Sequence, residues 1–273
     1  MVKERNLDPF KTITLKKCEG EFVYLNDGNQ PALYLASGID KRTEFLEGPA
    51  TASNILYKTD NNLLMYENGF YLTSDSDNRT SKLWYAEHVS ASLSAKSYLI
   101  YHEESDYVKI EFNGKDGQGG GRYLYNNSVS GTDAGTNPNT DDYKFKFEIL
   151  NNITVTFNSN YKSLNLPVHV SVPEGIKVFV MTNKLTEVDI DIIPANTPVI
   201  LYKESGSGNV EFPIIESGEY VITKDAYSLI NKNKLKGTIH ATNIDIDGLC
   251  KFENGSWIPV ESECEGFSAF LKQ

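Results

Sequence analysis

The residues of this chain with chemistry to offer are four histidines, three cysteines and several clusters of carboxylates. His88, His102, His169 and His240 do not stand at metal-ligand spacing from one another or from a cysteine, and there is no C-x-x-C. The sequence therefore predicts no metal centre and no cofactor. Glu103-Glu104-Asp106, Asp75 with Asp77, and Asp141-Asp142 have the composition of a glycosidase acid/base pair, which needs two carboxyls about 5–10 Å apart. Charged residues between strands are ordinarily solvated, so these clusters read as hairpin tips. "SDSDN" (74–78) and "NIDIDG" (243–248) echo a calcium loop but lack its closing glutamate and flanking helices. "GQGGGRYL" (117–124) breaks the G-x-G-x-x-G spacing and runs into the strand-like "RYLYNN", where a phosphate loop requires a helix. It reads as a turn. No G-x-S-x-G elbow occurs, and "SGSG" (205–208) reads as another turn, so no catalytic residue is predicted.

The aromatic residues carry more. Trp84, Tyr85, Tyr123 and Tyr125 sit in similar sequence contexts, and Tyr143 follows the polar loop that ends in Asp141 and Asp142. Aromatic faces beside Asp and Asn acceptors hold a sugar by stacking on its apolar face and bonding its hydroxyls. The predicted ligand-binding residues are accordingly Trp84, Tyr85, Tyr125, Asp141, Asp142 and Tyr143. Trp257, in "NGSWIPV", is either a contact or a plug between sheets.

These residues must be positioned by strands. "KTITL", "SYLIYHE", "YVKIEF", "YKFKFEIL", "ITVTF", "IKVFVM" and "GEYVITK" alternate with period two and are rich in β-branched and aromatic residues. Turn clusters such as "LNDGNQPA", "SDSDNRTS" and "GTDAGTNPNTDD" separate them. The class is all-β, with one short helix around "KDAYSLINKN". A linker over "NSNYKSLNLP" (158–167) divides the chain into an N-terminal binding domain, residues 1–160, and a C-terminal domain, residues 161–273.

The first domain contains an echo. "PALYLAS", "NGFYLTS" and "GGRYLYN" place Tyr-Leu at 34–35, 71–72 and 123–124, and an aromatic strand, "KLWYAEHV" or "YKFKFEIL", follows the second and third copies. Three such units, none able to bury its own apolar face, suggest threefold packing with Tyr34, Tyr71 and Tyr123 in the core. Residues 10–158 resemble the β-trefoil of ricin-type lectin domains, although the Gln-x-Trp of that family is absent and only Trp84 stands near its place. In the second half, "VPEGIKVFV", "IPANTPVILY", "LKGT" and the closing "AFL" occur in an order that resembles a β-sandwich module near the C-termini of secreted and surface proteins of the Bacteroidetes. That resemblance implies a scaffold or spacer without catalytic residues, and a location outside the cell or on its surface.

Composition narrows the class. With 40% hydrophobic and 11% aromatic residues the chain has the material for a core. Its net charge of −11 is spread over both halves and leaves no basic stripe, which excludes the usual nucleic-acid footprint. No apolar run is long enough for a transmembrane helix, and "MVKERNLDPFKTITL" has no signal-peptide core. Either Cys250 and Cys264 pair and leave Cys18 free, or all three thiols stay reduced. The expected function is non-enzymatic binding of carbohydrate by the N-terminal domain of a secreted or cell-surface protein. The alternatives are a protein-interaction module (protease inhibitor, adhesion or assembly subunit) inserting the loop 126–142 into its partner, and a glycoside hydrolase using the paired carboxylates.

Overall fold

Among the described residues period-two alternation is realised as antiparallel sheet, and the protein is all-β. The computed structural model describes residues 9–26, 34–35, 43–44, 56–59, 64–66, 71–74, 83–86, 99–104, 106–112, 122–127, 131–135, 144–239, 248–261 and 266–272. After β1 (Phe10–Leu15) the segment Glu19–Leu150 forms a unit of its own. Its strands are β2 (Gly20–Asn26), β3 (Tyr34–Leu35), β4 (Thr43–Glu44), β5 (Leu56–Thr59), β6 (Leu64–Tyr66) and β7 (Tyr71–Ser74), followed by β8 (Leu83–Ala86), β9 (Leu99–Glu103), β10 (Val108–Phe112), β11 (Arg122–Asn127), β12 (Gly131–Gly135) and β13 (Lys146–Ile149). The remaining strands join β1 in an outer unit. They are β14 (Asn152–Phe157), β15 (Tyr161–Leu164), β16 (His169–Ser171), β17 (Ile176–Met181), β18 (Leu185–Val188), β19 (Ile192–Ile193), β20 (Val199–Lys203), β21 (Gly208–Ile215) and β22 (Gly218–Thr223), then the helix α1 (Lys224–Asn231), β23 (Leu235–Thr238), β24 (Leu249–Glu253), β25 (Ser256–Pro259) and β26 (Ser268–Lys272).

In the inserted unit β2 pairs with both β13 and β5, and the sheet continues through β6 and β7 to β8. A second sheet runs β12-β11-β10-β9, and the bridge Val108↔Phe145 links β10 to the residue before β13. Strands β3 and β4 pair with each other, and among the described residues with nothing else. The buried side chains include Phe22, Val23, Leu25, Leu56, Val108, Ile110, Leu124 and Phe145. Leu124 is fully buried while Tyr123 is only half-buried, which corrects the expected core role of Tyr123. Neighbours on a strand point to opposite faces, so one of a Tyr-Leu pair goes inward, and leucine brings no hydroxyl needing a partner. The side chains of Tyr34 and Tyr71 lie outside the described residues.

In the outer unit a middle sheet runs β15-β20-β17-β18. Val199, Ile200 and Leu201 of β20 are all fully buried, so this strand is covered on both faces and its apolar run needs no alternation. On one face Ile200 meets Leu235, Phe252 and Ala269 of the sheet β23-β26-β24-β25, with Phe179, Met181 and Leu271 packed around them. The helix falls where expected. Thr223 is its N-cap, its hydroxyl accepting from the Ala226 amide at 3.1 Å, and Asp225 stands in the first turn, complementing the helix dipole.

Two expectations are corrected. The stretch 158–167 is no linker: β15 pairs with β20 along its length, and Leu164, Asn165 and Leu166 are buried. The chain divides instead at Cys18/Glu19 and Leu150/Asn151, because β1 pairs with β22 and β14 with β21. "GTDAG", expected in a turn cluster, is β12, held opposite β11 from Tyr123↔Gly135 to Asn127↔Gly131.

Candidate functional site

The alternation that buries Val108, Ile110 and Leu124 turns Tyr123 of β11 and Glu111 of β10 to the other face, where they stand directly opposite each other. His102 of β9 pairs with Lys109, which places it diagonally from Glu111, within reach of a long side chain. His102 Nε2 is 2.6 Å from Glu111 Oε2, and the His102 and Tyr123 rings lie 5.7 Å apart at 41°. The His102 side chain is 42% exposed and that of Glu111 18%, so the carboxylate is partly withdrawn beneath its neighbours. Burial, then the charge of Glu111 and the hydrogen bond to it, hold the Tyr123 phenol above its ordinary value. The phenol is therefore a donor to Glu111 at neutral pH. One carboxylate thus accepts from an imidazole and a phenol on a solvent-facing sheet. Such a group offers acceptors and ring faces to a hydroxylated ligand.

Of the predicted ligand-binding residues, Trp84 and Tyr85 fall in β8 and Tyr125 in β11, where Tyr125 pairs with Asp133; the side chains of all three lie outside the described residues. Asp141, Asp142 and Tyr143 lie outside them entirely, as do Asp75 with Asp77 and the glycines 117–121. The segment "RYLYNN" forms β11, a strand as expected. Glu103, Glu104 and Asp106 are exposed at the β9–β10 turn, which the Glu104 amide closes onto the Tyr107 carbonyl at 2.9 Å. Neither His102 nor Glu111 stands out in the sequence as a site residue. The signal available was their position in the alternating "LIYHE" and "VKIEF", but it takes the pairing register to bring them together.

His169 plays a structural part. It is buried, its Nδ1 accepts from the Ala195 amide at 2.8 Å, and its Nε2–H donates to the Lys16 carbonyl at 2.8 Å. An accepting Nδ1 fixes the neutral Nε2–H tautomer. The ring ties the segment after β1 to the "PANTP" turn. Cys18 is half-buried; burial pushes its thiol up, opposed by a hydrogen bond to the His169 backbone, so it is not activated as a nucleophile. Cys18 and Cys250 carry free thiols, and Cys264 lies outside the described residues. Trp257 is half-buried, edge-on to Phe252 at 4.9 Å, and continues a row in which Phe252 meets Tyr161 at 5.2 Å and Tyr161 meets Tyr202 at 5.0 Å.

Among the described residues no group of three or more His, Cys, Asp or Glu is placed to hold a metal ion, and no helix is long and apolar enough to cross a membrane. No protein-family model matches the chain, and no curated protein matches it.

Proposed function

We propose that the protein is a non-enzymatic carbohydrate-binding protein that works in secreted form or at the cell surface, and that the ligand is held by the inserted unit. The observation that carries this reading is the outward-facing group of His102, Glu111 and Tyr123. It combines a carboxylate acceptor, two ring faces and a phenol on one side of a sheet. A sugar needs those elements together, because stacking takes its apolar face and directed acceptors take its hydroxyls. Tyr125, opposite Asp133 by register, extends the same strand pair.

The pairing pattern supports a β-trefoil for this unit. Its first strand, β2, pairs with the last, β13, and with the fourth, β5; β3–β4, β7–β8 and β11–β12 form hairpins at corresponding places in three successive four-strand groups. A fold of this kind presents many ligands, so the function rests on the side chains rather than on the topology. The facing sheets β15-β20-β17-β18 and β23-β26-β24-β25 support the sandwich reading of the outer unit.

A glycan-array screen of the full chain tests the proposal, followed by titration of each hit against Glu111→Gln and Tyr123→Phe. Saturable binding weakened at least about tenfold by Glu111→Gln, with the melting temperature unchanged, is the expected result; one lost charged hydrogen bond is worth that much. Silence across the array by the folded protein overturns the reading and directs attention to a protein partner.

A further inference from the structure

We infer that the outer unit is more than a spacer and carries a ligand site of its own, a cleft beside β15 that takes a single polyhydroxylated ring. The cleft encloses about 250 Å³ and is lined by Asn158, Tyr161, Ser163, Phe252, Asn254 and Phe270, with Ser268 and Ala269 of β26 on its wall. Sites for drug-sized ligands run from about 300 to 1,000 Å³, so this one suits one small ring and not a chain. All of its walls belong to the outer unit.

Its walls are set before any ligand arrives. On one side Ser159 Oγ accepts from the Tyr161 amide at 3.2 Å, and the Asn160 side-chain amide donates to the carbonyls of Lys203 and Glu204 at 2.9 and 3.0 Å. On the other, Asn254 and Gly255 both have positive φ, +49° and +84°, in the two-residue turn that joins β24 to β25. That turn type fixes the hairpin's tip without slack. Between them the Tyr161 ring is braced by Tyr202 and Phe252. A site already in its bound shape spends little of the interaction energy on ordering itself.

Three features give the ligand its chemistry. Tyr161, Phe252 and Phe270 supply ring faces and edges for the apolar side of a sugar. Ser163 supplies an unmet demand: its Oγ is shielded from solvent and has no hydrogen-bond partner among the described residues. Such a hydroxyl is costly to leave unmet, and Ser163 lines the cleft, where a ligand hydroxyl would satisfy it. The rim supplies charge. Lys251 and Glu253 pair at 3.1 Å and offset each other, while Lys162 adds one further cation. A neutral sugar or a uronic acid is therefore favoured over an amino sugar.

The test is calorimetric titration of the full chain with glucose, glucuronate and glucosamine, repeated on Glu111→Gln, Ser163→Ala and Asn158→Trp. Asn158 is exposed at the mouth, so the tryptophan fills the entrance without disturbing the core. The expected result is saturable binding, with glucuronate or glucose ahead of glucosamine, that survives Glu111→Gln. It weakens roughly two- to tenfold in Ser163→Ala, the worth of one neutral hydrogen bond, and is abolished by Asn158→Trp. Three outcomes overturn the inference: no saturation by any of the three sugars at millimolar concentration, binding untouched by Asn158→Trp, or binding lost in Glu111→Gln. The last assigns the sugar to the β9–β11 face; failure of the cleft alone leaves the proposed function of that face standing.

Discussion

On the outward face of β9–β11, Glu111, His102 and Tyr123 are joined by hydrogen bonds across three strands, whereas beside β15 the rings of Tyr161, Tyr202, Phe252 and Trp257 are joined by packing alone. The first arrangement depends on register, because a slip of one residue sends Glu111 inward and Ile110 out. The second depends on volume, because Phe252 belongs to the same core as Ile200 and Ala269. A polar group on a sheet face is therefore separable from stability, while an aromatic cleft at the margin of a core is not.

Substitutions sharpen or break that contrast. The largest effect is expected of Phe252→Ala, which removes a buried ring from the outer unit's core: about 3–5 kcal/mol of stability by chemical denaturation, with loss of sugar binding in the cleft and none on the β9–β11 face. If denaturation shows less than about 1 kcal/mol, the cleft is not packing-dependent. Next comes Gly237→Ala. Its new Cβ would run into the Asn165 side chain, and Asn165 is buried, so about 1–3 kcal/mol is expected by the same measurement. Glu111→Gln, by contrast, should change stability by under about 1 kcal/mol, since the pair it breaks is partly exposed. It should also lower the Tyr123 phenol toward its ordinary value, seen as an earlier tyrosinate absorbance in an alkaline titration. An unmoved transition would mean the two groups do not interact.

The smallest effect is expected of Tyr101→Phe in the inserted unit. The Tyr101 hydroxyl is buried without a partner among the described residues, and burial raises its phenol well above the ordinary value near 10. In the folded protein the proton is therefore held where the unfolded chain releases it. Its titration therefore leaves stability unchanged below about pH 10 and lowers it as the pH rises above that. Tyr101→Phe should gain up to about 1 kcal/mol at neutral pH and flatten that alkaline decline, as followed by denaturation midpoints between pH 9 and about 11.

How far the sequence foretells this depends on range. "KDAYSLINKN" declares its helix because the Thr223 cap and the apolar spacing are local, and "YVKIEF" declares its strand by alternation. "GTDAG" does not declare β12, since glycine and aspartate disfavour strands and only the hairpin partner imposes one. Nor does "NSNYKSLNLP" declare β15; its Asn and Ser resemble a linker, and its burial comes from β20, far along the chain. His102 and Glu111 are ordinary members of two strands until register sets them side by side. The aromatic row in the outer unit is likewise assembled from strands distant in sequence, which is why Trp257 alone stands out there on sequence grounds.

The clamp of His169 on Lys16 and the pairing of β1 with β22 have a consequence for biogenesis. Phe10 leaves the ribosome first, yet its partner Thr223 follows only after the whole of Glu19–Leu150 has been made. At about 5–20 residues per second that interval is on the order of ten seconds or more. The inserted unit has all its strands in hand by then, so it is the part that folds during synthesis. The outer unit can close around β1 only once β22 has been made, so a chain released before then would carry a folded inserted unit and an unfinished outer one.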